Sequence, residues 1–141
     1  MQFNAKKLWL CLPFILVFLC DGSITLYGQP AAYWAGNYEL ANESFPAFNW
    51  ALQQHPMVFV VQSLVWVTVF CLLILVLPNF LSEVTAFALV QGHTWGVMTW
   101  LVYSLQLNYY LCLLYFLAIA TVLVYCFRRW IGLTRWGLSP H

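Results

Sequence analysis

The chain has 141 residues, of which 64% are hydrophobic and 6% charged, with a formal net charge of +1 and a mean hydropathy of +0.82. Soluble domains carry roughly a quarter charged residues, so this composition cannot clothe a water-facing surface and implies an integral membrane protein of one domain, residues 1–141. All five basic residues lie near the ends (Lys6, Lys7, Arg128, Arg129 and Arg135), which excludes a nucleic-acid partner.

Leu8 to Cys20 is apolar and follows Lys6 and Lys7. It reads either as the core of a secretory signal peptide or as the start of a retained helix over residues 8–28. Val17, Phe18 and Leu19 precede Cys20, where cleavage or a lipoprotein site wants small residues, so retention is the better reading. About 20 residues span a bilayer, and membrane helices tolerate a proline such as Pro13.

Residues 29–56 form the one long polar connection. They mix Asn and Gln with Tyr33, Trp34, Tyr38, Phe45, Phe48 and Trp50, a mixture suited to the headgroup zone. Pro46 at a first helical position predicts a short interfacial helix continuing to Gln54. Asn42-Glu43-Ser44 is a glycosylation sequon by pattern, with meaning only in a eukaryotic secretory pathway.

Pro56 opens a second helix, 57–77, and Pro78-Asn79 closes it. Residues 80–83 read as a tight turn. A third helix, 84–105, is the most polar, with Gln91, Gly92, His93, Thr94, Gly96 and Thr99. A fourth, 109–127, is apolar, and the closing arginines follow it. The fold class is therefore all-α: a polytopic membrane bundle of four transmembrane helices with an outer interfacial segment. The five cysteines sit in apolar runs without a C-x-x-C pair, as small hydrophobes do.

Between Lys7 and Arg128 there is no Lys or Arg, so Asp21, Glu39, Glu43 and Glu83 have no cationic side chain within that span. Asp21 and Thr25 share a face of the first helix. His93 falls about 15 Å from either end of the third, near the bilayer midplane, where a polar ring should face other helices. Gly92 and Gly96 form a small-xxx-small pair that permits close helix approach. The outer half of the bundle thus offers one constellation, Asp21, Glu43, His55 and His93, with Gln62 and Gln91 in support. These four are the candidate catalytic residues and the candidate metal ligands. No motif demands a cofactor, and a divalent metal such as zinc is the ion that two histidines with carboxylates would accept. No spaced ligand motif, nucleophile elbow, phosphate loop or dinucleotide fingerprint is present, and no internal repeat marks a transporter.

The D-x-x-x-T pattern of Asp21 and Thr25, followed by a polar loop with Glu43 three residues before Pro46, resembles small multi-pass membrane proteins of bacteria and archaea. Phe45 stands where that pattern would have Asn. The resemblance covers the loop and part of the first helix, implies a retained first helix, and brings no activity with it.

Three functions follow as expectations. The first is a structural or accessory membrane protein packing against a membrane-protein partner or a second copy of itself within the lipid bilayer. The others are a membrane-embedded, metal-dependent enzyme using the Asp/Glu/His group and a proton or small-solute conductor. The location implied is a bacterial inner membrane. Four spans flanked by Lys and Arg put both termini in the cytoplasm. A fluorescent reporter that matures only in the cytoplasm is expected to light up when fused to either end. Silence at one end would show an odd number of spans.

Overall fold

The computed structural model describes residues 5–132, and Arg135 of the closing basic group lies outside them. Every regular element among the described residues is helical, with no strand among them. After a 3₁₀ turn (Ala5–Lys7), α1 runs from Leu8 to Tyr27, and a one-turn helix α2 (Ala31–Trp34) follows. The connection continues through a second 3₁₀ turn (Tyr38–Leu40) to α3 (Pro46–Gln54) and α4 (Pro56–Val76). Next come α5 (Asn79–Thr99), a π-helical turn (Trp100–Ser104) and α6 (Tyr109–Trp130). Three helical stretches are long and apolar enough to cross a membrane: Ala5–Tyr27, Pro56–Val76 and Tyr109–Trp130. Such a set is consistent with an integral membrane protein. The fourth expected span, α5, has the length but a more polar sequence.

The caps follow local rules. Pro46 and Pro56 each open a helix at the first position, where a missing N–H costs nothing. His55 adopts an extended backbone between α3 and α4, and its Nδ1 accepts the Met57 N–H at 3.1 Å. Asn108 caps α6 in the same way through Tyr110 N–H.

One expectation is corrected here: residues 80–83 are not a turn. Pro78 itself turns the chain, and α5 begins at Asn79. Proline ends α4 for want of an N–H, and its fixed φ suits the start of the next helix. Ser82 is then one turn into α5, and its hydroxyl donates back to the Ile74 and Leu77 carbonyls at 2.7 and 3.0 Å. The buried Lys7 also donates to the Leu77 carbonyl. The carbonyl end of α4 thus gains a hydroxyl and a cation where its dipole is negative. Beside it, Glu83 accepts the Trp130 indole N–H at 2.7 Å, so the acid expected to lack a cation is satisfied by a neutral donor.

α1 is the hub, packing chiefly on α5 and then on α6 and α4. Leu10, Cys11, Phe14, Val17 and Phe18 of α1 form the main core with Ile74, Ala86, Val90 and Trp130. A second core, Tyr33, Ala51, Leu52 and Phe59, lies under the polar connection. There the Tyr33 hydroxyl donates to the Leu52 carbonyl at 3.2 Å. By contrast, α4 and α6 leave most of their leucines and valines exposed.

The Trp100 ring lies over Gly28, at the end of α1, so closely that a Cβ there would overlap it, whereas a Cβ at Gly92 would meet nothing within 4 Å. The small-xxx-small pair therefore works at Gly96, taken up below, and not at Gly92. Gly28→Ala is expected to lower stability in detergent by about 1–3 kcal/mol through overpacking. Gly92→Ala should be neutral or raise it by up to about 1 kcal/mol through helix propensity. Unfolding of both variants measures the contrast.

Candidate functional site

Asp21 lies in the last two turns of α1 and His93 in the third quarter of α5. Their side chains meet: His93 Nδ1 is 2.7 Å from Asp21 Oδ2. With Asp21 ionised, Nδ1 carries the proton and donates it, which leaves Nε2 free to accept or to take a second proton. The imidazole is held by ring contacts, with centroids 5.8 Å from Phe14 and 4.8 Å from Phe18. Gly96 shares the His93 face, three residues on. A Cβ at Gly96 would stand 2.6 Å from Asp21 Oδ1. Only a glycine lets the carboxylate lie against α5 and reach the ring.

Glu43 comes to the same place through Gln29. The buried Gln29 amide donates to the Thr25 carbonyl at 2.8 Å and to the Asn42 carbonyl at 2.9 Å, while its oxygen accepts the Asn42 N–H at 2.8 Å. This paired contact mimics a strand ladder and pins the connection to the end of α1. The next residue, Glu43, then accepts the Thr25 hydroxyl at 3.5 Å and the Phe45 N–H at 2.9 Å. Burial pushes the Glu43 carboxyl above its ordinary range, and the nearby Asp21 carboxylate adds to the rise. The N–H groups of Phe45 and Ser44 and the Thr25 hydroxyl act in the opposite direction.

Asp21, Glu43 and His93 line one cavity of about 790 Å³, within the usual size range of small-molecule sites. Its floor is α1 (Phe18, Asp21, Gly22, Thr25). One wall is α4 (Phe59, Ser63, Trp66, Phe70), and the other is α5 with the π turn (His93, Gly96, Thr99, Trp100, Tyr103, Ser104). The segment from Asn42 to Phe48 covers it. The Asp21 and His93 side chains each keep 20% exposure, so the cavity reaches them.

Of the four candidates, His55 does not join the others. It is exposed, caps α4 and rests on the Tyr38 ring at 5.2 Å. A histidine just before Pro56 spends its acceptor on the helix end it precedes. Gln62 ties α4 to the Ala47 carbonyl at 3.1 Å, and Gln91 is exposed, so neither supports the site. Among the described residues no three His, Cys, Asp or Glu side chains are grouped to hold a metal ion, and the geometry does not fit the zinc expectation. Sequence reading missed Gln29, Ser63 and the π turn. The first had a signal, an amide one turn beyond Thr25. The π turn had none, because it arises where the Leu105 N–H takes the Trp100 carbonyl at 2.9 Å.

No protein-family model matches the chain, and no curated protein or solved structure matches it significantly.

The raised Glu43 group predicts a pH dependence. A carboxyl whose folded value lies above its unfolded one stabilises the fold below the ordinary glutamate value of 4.5 and loses that contribution as pH rises through the raised value. The thermal midpoint of wild type minus that of Glu43→Gln is therefore expected to fall across that window. Parallel curves for the two proteins would contradict the assignment.

Proposed function

We propose that this protein is a small membrane-embedded receptor pocket for an amphipathic molecule, equipped with an acid–base pair that exchanges a proton with it. The single observation that carries the reading is the 2.7 Å contact of His93 with Asp21 on the wall of a cavity of about 790 Å³. Asp21 would orient the imidazole through Nδ1, and Nε2 would be the atom that takes or returns the proton. Glu43, half-buried under the covering segment, would be the second proton-bearing group at the mouth. This catalytic use of Asp21, Glu43 and His93 drops His55 and the metal.

In this reading α5 is a fourth span. Its polar face looks into the bundle, while the exposed apolar faces of α4 and α6 meet the bilayer. A retained α1 belongs to the same reading, because its buried face supplies much of the main core and the floor of the cavity. Lys6, Lys7, Arg128 and Arg129 at one end of the bundle support a cytoplasmic side there and an outward-facing cavity. A bacterial inner membrane fits that arrangement. The residues that carry the resemblance to small prokaryotic membrane proteins also fit: Asp21, Thr25 and Glu43 line the cavity, and Pro46 starts the helix beside it.

The structural reading has one observation in its favour, since the same Asp21–His93 bond joins α1 to α5. An accessory protein packing on a partner or on its own copy would need no more of it. Ligand retention separates the two. Wild type purified in mild detergent is expected to carry a defined amphiphile, found by mass spectrometry of its extract, that Ser63→Trp loses by filling the cavity. His93→Gln is expected to weaken retention while the fold holds. Identical bulk-lipid profiles in all three proteins would leave the pair a helix clamp and sink the pocket.

A further inference from the structure

We propose that the cavity selects an organic cation: an amphiphile with an ammonium head group and a hydrocarbon tail. This rests on the pocket reading above and adds the chemistry of its occupant.

Charge is the first support. Among the described residues, the cavity wall holds Asp21 and Glu43 and no Lys or Arg. His93 is its one basic group, and Asp21 already faces it. With Asp21 ionised, the wall is negative or neutral in every protonation state of Glu43 and His93, and never positive. An anionic head group would therefore find no counter-charge that Asp21 does not already face, whereas a cation would find one in an ionised carboxylate at a depth where screening is weak.

The second support is aromatic. Phe45, Phe48 and Phe59 form a connected ring cluster on the Glu43 side, with centroids 5.6 and 5.7 Å apart. Trp66, Trp100 and Tyr103 line the rest of the wall. Ring faces attract ammonium groups, most strongly when desolvated, and cages of this kind suit alkylated ammonium better than a hydrated inorganic ion. The absence of a ligand triad among the described residues argues the same way against a metal cation.

The third support is shape. α4 and α5 are joined tightly at Pro78 through Ser82. Farther along, the cavity separates them, with Phe70 and Leu89 toward the joined end and the exposed Trp95 on its margin. An apolar gap between two outer helices is a place for a hydrocarbon tail, with the head group against α1 and the 42–48 cover.

The test uses the full chain in dodecyl maltoside and three radiolabelled probes of equal chain length: dodecyltrimethylammonium, dodecanol and dodecyl sulfate, with protein-free micelles subtracted. Dodecyltrimethylammonium is expected to bind saturably and at least tenfold more tightly than either of the others. Glu43→Gln and Asp21→Asn should each reduce its affinity severalfold, and Ser63→Trp should remove the binding. Equal binding of dodecanol, or tighter binding of dodecyl sulfate, would overturn the cation assignment and leave the pocket standing. If no probe binds in a way that Ser63→Trp removes, the pocket and its proposed occupant fall together. The comparison of probes on wild type decides the matter even where a variant fails to fold.

Discussion

The hydrogen bond between Asp21 and His93 is the constraint around which the rest of the chain is arranged. A carboxylate in an apolar helix carries an insertion cost, roughly 2.5–3.5 kcal/mol at the helix centre and less toward the ends, and this chain has no Lys or Arg between Lys7 and Arg128 to offset it. The imidazole of His93, at 2.7 Å, is the donor that answers it. To bring that ring into reach, α1 and α5 must approach until Asp21 lies against the backbone of α5, which requires glycine at position 96. That approach makes α1 and α5 the principal pair of the fold, and the cavity opens beside it, where α4 and α5 part.

The two ends of the bundle are built differently. At the Pro78 end, Lys7, Ser82, Glu83 and Trp130 satisfy carbonyls and one another at short range, and the main apolar core fills the space above them. At the other end the contacts are bridges across a gap: Gln29 to Asn42, Thr25 to Glu43, Tyr33 to Leu52. One end is closed by packing. The other is covered by a segment held by these polar contacts and by Phe48, which packs against the second core. An acid in that cover whose proton affinity is raised by burial links the cover's stability to protonation.

Chemically, an imidazole oriented by a carboxylate is a general acid–base unit, and its value depends on a reachable cavity with few competing donors. Here the surrounding polar groups are the Glu43 carboxyl, hydroxyls and the Asn42 amide, and much of the wall is aromatic. Such a wall lowers the local dielectric and strengthens the electrostatic contacts beside it. The same composition makes the pocket intolerant of anions and receptive to weakly hydrated cations.

Much of the helix pattern was legible in the sequence because it rests on local chemistry. Prolines at 46, 56 and 78 and the apolar runs act within a few residues of themselves. Depth along each helix also carried information, since Asp21 and His93 could be set at nearby levels by counting residues from the helix ends. What counting cannot supply is rotation about the helix axis and the path of a loop. Only the tertiary structure decided that Gly96 and not Gly92 meets α1, because one position on α5 looks at Asp21 and the other does not. Only it decided that Glu43 enters the site and His55 leaves it. The first is carried in by the Gln29 amide, thirteen residues from Asn42, and the second is consumed by the helix end it caps. Trp100, at the start of the π turn, likewise seats over Gly28, a contact between residues far apart in the chain. Local preference sets where helices begin and end; which side chains share a cavity is set by packing between segments.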